Sequence, residues 1–306
     1  MNLPYRFQEE PGEEAVISVD GTFGAPGLNL SHWPGNTTPK DLRHDLSTGS
    51  ALLFARLEPA DRERRAAGCV AVAVGNSSHA GVLGHHVEGL ADLGLTSLAF
   101  VNTPAAISPW GGNRALYGTN PIAFACPRAD APPLVIDLSL TKVARGKIKL
   151  AADRDEPLAD GLATDATGKP TTDAQASMDG GGLLPIGDAK GAALALMVEV
   201  MSAAMTGSRF GYEASSFFDS EGGPSRTGQF FFVFRPESLG GEGVLARIEE
   251  LMMAITDQSG ARLPGSRRYE SREKAEQDGV DIPDKLLADL TELAGGSAPT
   301  NNRAQP

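Results

Sequence analysis

His79 is the side chain in this 306-residue chain whose neighbours best suit it to move a proton. It lies in the run NSSHAG, after a short apolar, β-branched segment from Gly68 to Val74 and before apolar residues at Val82, Val87, Leu90 and Leu93. The first segment reads as a buried strand ending in the turn residues Gly75 and Asn76, and the second as an amphipathic helix. His79 therefore belongs to a strand-to-helix loop, the kind of mount that usually carries reacting groups, and imidazole titrates near neutral pH. Three further groups offer chemistry. In the tight GTNP turn, Pro121 fixes the chain while Thr119 and Asn120 offer hydroxyl and amide donors. Asp137, Leu138 and Ser139 close a short strand from Leu134, and Ser139 or Thr141 can cap a following helix that carries Val143, Ile148 and Leu150. Backbone N–H groups at such a helix start suit a phosphate or ribose. Lys190, flanked by Gly187 and Gly191 where a helix of small residues begins, is a point charge for an anion, with Arg114 and Arg145 as weaker candidates.

The elements that must position these groups follow from periodicity. Leu95 to Val101 and Gln229 to Phe234 read as strands, DATGKPTT as an exposed turn, and LLPIGDAKGAALALMVEVMSAAMTG as an apolar run, a turn and a helix. Gly241, Gly243 and Ala246 fit G-x-G-x-x-A, but Pro236 and a loop part them from the preceding strand. The dinucleotide fingerprint needs its first glycine at the strand's end, so an ordinary helix from Val244 to about Thr256 is expected. His85 and His86 are adjacent and diverge on a helix with no ligand at metal spacing beside them, so no metal site is expected. A net charge of -12 argues against nucleic acid or an anionic membrane as partner. No apolar run reaches the roughly 18 residues that span a bilayer, and the polar, acidic start MNLPYRFQEEPGEE is unlike a signal peptide. Cys69 and Cys126, both in apolar strand-like runs, are expected as two buried thiols, which suits a reducing cytoplasm.

The stretch NSSHAGVLGHHVEGLADLGLTSLAFVNTPAAISPWGGNRALYGTNPIAFACP resembles the signature region of the malate/L-lactate dehydrogenases of the second type, which show N-S-x-H-x-G and G-T-N-P-I-A-F-A-x-P elements. That group also contains ureidoglycolate dehydrogenase, diketogulonate reductase and the reductases of cyclic imino acids such as piperideine-2-carboxylate. The resemblance continues through VIDLSLTKVARGKIKLAA, DGLATDATGKPTTDAQA, LLPIGDAKGAALALMVEVM and LPGSRR, from about Ala67 to Leu293. It implies an α/β (α+β) fold with a mainly antiparallel central sheet flanked by helices, binding a nicotinamide cofactor without a Rossmann unit. The implied activity is hydride transfer between NAD or NADP and a small 2-oxo or 2-hydroxy acid of the malate or lactate type, with a cyclic imino acid as the alternative substrate. Homodimers are implied too. Carried onto this chain, the resemblance makes His79 and Asp188 catalytic and gives Lys190 and Asn120 to the substrate. The cofactor falls to His79, Thr119, Asn120, the Asp137, Leu138 and Ser139 loop, Lys190 and Gly191, and to Pro264 and Gly265 in the tail motif.

Residues 1–66 depart from that family, whose N-terminal helical region normally carries an S-H-G element. Here LSHWPGNTTPKDLRHDLSTG is similar instead to the start of an unrelated, uncharacterised bacterial family. Ser31 and His32 form an S-H pair, but Trp33 and Pro34 follow where the family has glycine, so the pair reads as a surface turn or as a substitute for the lost element. Three segments are expected: 1–66 as a replaced cap, 67–293 as the cofactor-binding and catalytic region, and 294–306 as a disordered tail. With the element lost and not replaced, the chain would be a catalytically degenerate cofactor-binding protein. Phe230 to Phe234, FFFVF, fits a core strand or a dimer edge.

Overall fold

A computed structural model describes residues 16–19, 27–30, 68–218, 222–282 and 284–293; Ser31, His32, most of residues 1–66 and residues 294–306 lie outside them. The chain divides into a unit spanning Met1–Leu263 and a smaller one spanning Pro264–Pro306. In the first unit, β1 (Val16–Val19) and β2 (Gly27–Leu30) pair in parallel. The elements then run β3 (Cys69–Ser77), α1 (Leu83–Ala91), β4 (Thr96–Val101), β5 (Ile122–Cys126), β6 (Leu134–Leu138), α2 (Arg145–Asp153), β7 (Ala163–Thr164) and β8 (Pro170–Thr171). After these come α3 (Ala174–Met178), β9 (Gly182–Leu183), α4 (Ala189–Glu199), a π turn (Val200–Ala204), β10 (Thr227–Phe234), α5 (Glu237–Gly240) and α6 (Val244–Thr256). The second unit contains α7 (Ser266–Asp278) and α8 (Asp284–Leu293).

The main sheet has the order β3-β10-β4-β5-β6 and is antiparallel at every pairing, with helices on both faces. Alternation explains the layers, since successive strand residues point to opposite faces. Phe231 and Val233 of β10, Ala99 and Val101 of β4, and Ala123 and Ala125 of β5 share one core with Leu83, Val87 and Leu90 of α1. Their neighbours Phe230, Phe232, Phe100, Leu98 and Ile122 face the other way and pack with Ala195 and Val198 of α4. The FFFVF run is thus apolar throughout because both its faces are covered, and it is a central strand, not a dimer edge. A second small sheet, β8-β7-β9, packs with α2 and α3 through Ala106, Ile148, Ala163, Ala174 and Leu183.

Several expectations shift. The buried stripe of α1 runs through Leu83, Val87 and Leu90, while Val82 and Leu93 are 63% and 52% exposed, because the helix starts after the first and ends before the second. Gly75 and Asn76 do not end β3. They form a bulge inside it, with Asn76 at φ 55 and the register jumping from Gln229 opposite Val74 to Thr227 opposite Ser77. A left-handed residue inside a strand bends it, so the Gly75–Asn76 signal marks a bulge and not a strand end. Ser139 and Thr141 do not cap a helix: their hydroxyls lie 3.0 Å apart, Thr141 Oγ1 donates to the Val143 carbonyl at 2.7 Å, and α2 begins later, behind Ala144. Cys126 is buried but Cys69, at the outer end of β3, is exposed. Val244 begins a helix behind Gly243 as expected, and DATGKPTT joins β7 to β8, with Asp165 accepting from the backbone of Thr167 and Lys169. Among the described residues no helix is long and apolar enough to cross a membrane.

Candidate functional site

The loop carrying His79 is tied to β10 before the histidine is reached. Thr227 Oγ1 donates to the Ser77 carbonyl at 3.2 Å, Ser225 Oγ to the Ser78 carbonyl at 2.9 Å, and Gln229 Nε2 to Ser77 Oγ at 2.9 Å. The imidazole Nδ1 then accepts the Gly81 N–H at 2.7 Å, in a turn that holds Gly81 at φ 64 and so favours glycine. With Nδ1 committed as an acceptor, the proton of the neutral ring sits on Nε2. The residue is open to solvent at its surface, yet Phe217 meets the ring edge-on at 4.8 Å, and the burial of the ring pulls its pKa below the ordinary 6.5. Protonating Nδ1 would also cost the Gly81 bond, so two effects favour the neutral form.

Arg145, the first residue of α2, approaches the same space. Its guanidinium donates to the carbonyls of Ala105 and of Pro104, the latter at 3.4 Å, and lies 5.8 Å from the ring centre of Phe218. Burial lowers its pKa, and no carboxylate pairs with it among the described residues. Thr119 donates its backbone N–H to Thr103 Oγ1 at 2.9 Å, and the two threonine hydroxyls lie 3.2 Å apart. His79, Arg145, Thr103, Thr119 and Ser139 share a cleft of about 190 Å³ with the two phenylalanines.

The other described candidates of the first unit do not line this cleft. Asn120 is fully buried at φ 42, and its amide donates to Glu199 Oε2 at 2.7 Å and to the Ala195 carbonyl at 2.9 Å, so it has no donor left for a ligand. Asp137, expected near the start of the following helix, instead accepts the Gly84 N–H at 2.8 Å, at the first turn of α1. There its charge complements the helix dipole. Leu138 pairs with Ile122 inside β6. Asp188 stands before α4 at φ 56 and forms an exposed ion pair with Lys142 at 3.0 Å, away from His79's cleft. Lys190 is exposed. Gly191 has a packing reason, because a Cβ there would lie 1.8 Å from the Ile186 carbonyl oxygen. Arg114 is exposed, and Pro264 and Gly265 begin the second unit, where Gly265 at φ 85 precedes α7.

Sequence reasoning missed Glu199 altogether. Only 4% exposed, it accepts from the side chains of Asn120 and Asn102 and from the Gly211 N–H at 2.6 Å. Burial raises its pKa, and the same hydrogen bonds oppose the rise. The signal was present: a lone glutamate in LALMVEVM sits where an acid is almost never buried unless partnered. Phe217 and Phe218 gave no signal, lying in the aperiodic run EASSFF.

An imidazole, a cation and hydroxyl groups thus gather in one cleft. The chain belongs to the malate/L-lactate dehydrogenase family, whose sequence model matches residues 47–291. It is 48% identical over 261 residues to a (2R)-3-sulfolactate dehydrogenase (NADP(+)) of Chromohalobacter salexigens, covering 85% of this chain and 77% of that one. Over 292 residues it is 38% identical to a Δ1-pyrroline-2-carboxylate/Δ1-piperideine-2-carboxylate reductase of Pseudomonas putida, covering 90% and 84%. The crystal structure of the Δ1-piperideine-2-carboxylate reductase of Pseudomonas syringae pv. tomato superposes with a TM-score of 0.73 at 37% identity, covering 80% of this chain and 74% of that one. The sulfolactate dehydrogenase of Methanocaldococcus jannaschii gives a TM-score of 0.68 at 30% identity, covering 76% and 68%. The model of another family, described as of unknown function, matches residues 2–73.

Proposed function

We propose that the chain transfers hydride between a nicotinamide cofactor, NADP in preference to NAD, and a small acid: a 2-oxo acid and its 2-hydroxy form, or a cyclic imino acid. The observation that carries this reading is the meeting of His79 and Arg145 in one cleft. The similarity to an NADP-dependent sulfolactate dehydrogenase and to imino acid reductases supports it. Its volume of about 190 Å³ is below the roughly 300–1,000 Å³ of sites that enclose a drug-sized ligand, so it fits the reacting ends of two molecules, not a whole dinucleotide. The hydroxyls of Thr103, Thr119 and Ser139 and the flat faces of the phenylalanines fit a carboxamide-bearing ring. Bound there, the cofactor supplies or accepts the hydride.

The protein's own task is the proton and the carboxylate. His79 donates from Nε2 to the carbonyl oxygen or imine nitrogen, drawing electron density away from the carbon that is reduced, and as imidazolium it delivers the proton outright. Arg145 has N–H groups beyond those given to the two carbonyls, and a carboxylate beside it orients the substrate. Lys190 is not needed for this role. Two free thiols suit the reducing cytoplasm in which we place the protein. Homodimers are part of the reading: α4, the π turn and the residue after it expose Leu194, Leu196, Met197, Val200 and Met205, an apolar stripe that a second copy could cover. Sedimentation as a monomer at micromolar concentration counts against that pairing.

The direct test is titration of NADPH and NADH fluorescence with purified protein. Turnover of pyruvate, oxaloacetate, the 2-oxo form of 3-sulfolactate and Δ1-piperideine-2-carboxylate is then measured. A second reading, binding without catalysis, is favoured by the match of residues 2–73 to a different family where the S-H-G element is expected. Cofactor binding with no turnover of any of these substrates decides for it.

A further inference from the structure

The segment leading to the two phenylalanines is held as a unit. Gly211 gives its N–H to Glu199 at 2.6 Å and its carbonyl accepts the Ala105 N–H at 2.9 Å. It fits only as glycine, because a Cβ would lie 2.8 Å from the Thr103 carbonyl oxygen. Further along, Ser215 Oγ donates to the Gly223 carbonyl at 2.7 Å, and the Phe218 N–H donates to Ser216 Oγ at 3.0 Å. From this anchored stretch two adjacent rings reach two different groups: Phe217 meets the His79 imidazole at 4.8 Å, and Phe218 lies 5.8 Å from the Arg145 guanidinium carbon. Both rings keep an outer face in solvent, at 36% and 42% exposure, so neither is there merely to fill a core.

We infer that Phe217 and Phe218 are positioning residues that divide control of the cleft, the first governing proton exchange at His79 and the second aiming Arg145 at the anionic end of the ligand. Phe217 removes water from one edge of the imidazole, which favours the uncharged ring. The other titratable group lining the cleft among the described residues is Arg145. Phe218 offers the guanidinium a π face, holding its plane while the Ala105 and Pro104 carbonyls hold its edge. This division rests on the oxidoreductase reading for its meaning, but its geometry is present before any ligand binds.

The test uses the full chain with Phe217→Leu and Phe218→Leu made separately, thermal melts confirming that each folds. In ligand-free protein, the His79 Cε1–H is titrated by NMR and assigned by its loss in His79→Asn. Phe217→Leu should move its pKa up toward 6.5, and Phe218→Leu should leave it where it is. In steady state, Phe218→Leu should raise KM for the acid substrate about 3- to 10-fold without moving the pH profile, whereas Phe217→Leu moves the profile and leaves KM within about twofold. Unchanged titration of His79 in Phe217→Leu, or equal rises in KM for both variants, overturns the division. Should Phe217→Leu fail to fold, Phe217→Met, whose unbranched chain adapts to the space, removes the ring and answers the same question. If wild-type protein turns nothing over, the NMR titration and a binding titration with pyruvate still decide the inference, so its failure is separable from failure of the proposed activity.

Discussion

Replacing His79 by asparagine is expected to lower turnover by about 10²- to 10⁴-fold while leaving NADPH affinity within about twofold, the usual share of a proton-transfer group. Asparagine can still accept the Gly81 N–H, and the anchors from Ser225, Thr227 and Gln229 do not involve the imidazole, so the loop keeps its shape. What is lost is Nε2. The pH dependence has a definite sign. The pKa of His79 is lowered by burial, so its protonated form gains population only below 6.5. Reduction should therefore quicken as pH falls through that lowered pKa, and oxidation, which needs the neutral ring, should hold its rate above it and fade below it. A kinetic pKa at or above about 7 in the wild type would contradict the assignment. So would a variant that melts early yet turns over normally, since that is the behaviour of a histidine that only stabilises its loop.

Arg145→Met should weaken binding of the anionic partner about 10- to 100-fold, the range expected for losing a hydrogen bond to a charged group. Methionine keeps an apolar stem against Phe218, so most of the loss is charge. Which constant moves identifies the anion: a rise in KM for the acid places the substrate carboxylate at Arg145, and a rise in the NADPH dissociation constant places a cofactor phosphate there. Arg145→Lys should recover only part of the loss, because an ammonium cannot reach two carbonyls and still present a planar fork. Lys190→Ala is the control and should change either constant less than about twofold, its ammonium being solvated outside the cleft. An effect confined to Lys190→Ala would return the anion site to the start of α4.

The parts of this molecule that were legible in the sequence are those fixed by near neighbours. The apolar run of β10, the strand before His79 and the helix after Gly243 depend on residues a few positions apart, and each forms where its pattern lies, the strand before His79 running on past the Gly75–Asn76 bulge. The differences at the site between expectation and structure have one cause. Asn120 looked like a donor for a ligand because turns often present one, but its amide is consumed by an acid 79 residues away. Asp137 was read with the helix that follows it in the chain, whereas the N–H it accepts lies 53 residues earlier. The order of Arg145 and Lys190 as cations depends on which helix start faces His79, and only the closed fold decides that. Phe217 and Phe218 carry no periodicity, since an irregular segment has none to carry.

Glu199 ties together the stretches that carry the cleft residues Thr103 and Thr119. Asn102, Asn120 and Gly211, from three stretches far apart in the chain, all spend a donor on one carboxylate at the end of α4. Moving any one stretch leaves that buried acid short of a partner, at a cost of about 1–3 kcal/mol or more for a charged group. Substrate preference in such a site cannot be redrawn one loop at a time: an exchanged loop arrives with donors shaped for a different acid. The smallest tradable part of this enzyme is the three stretches together with residue 199.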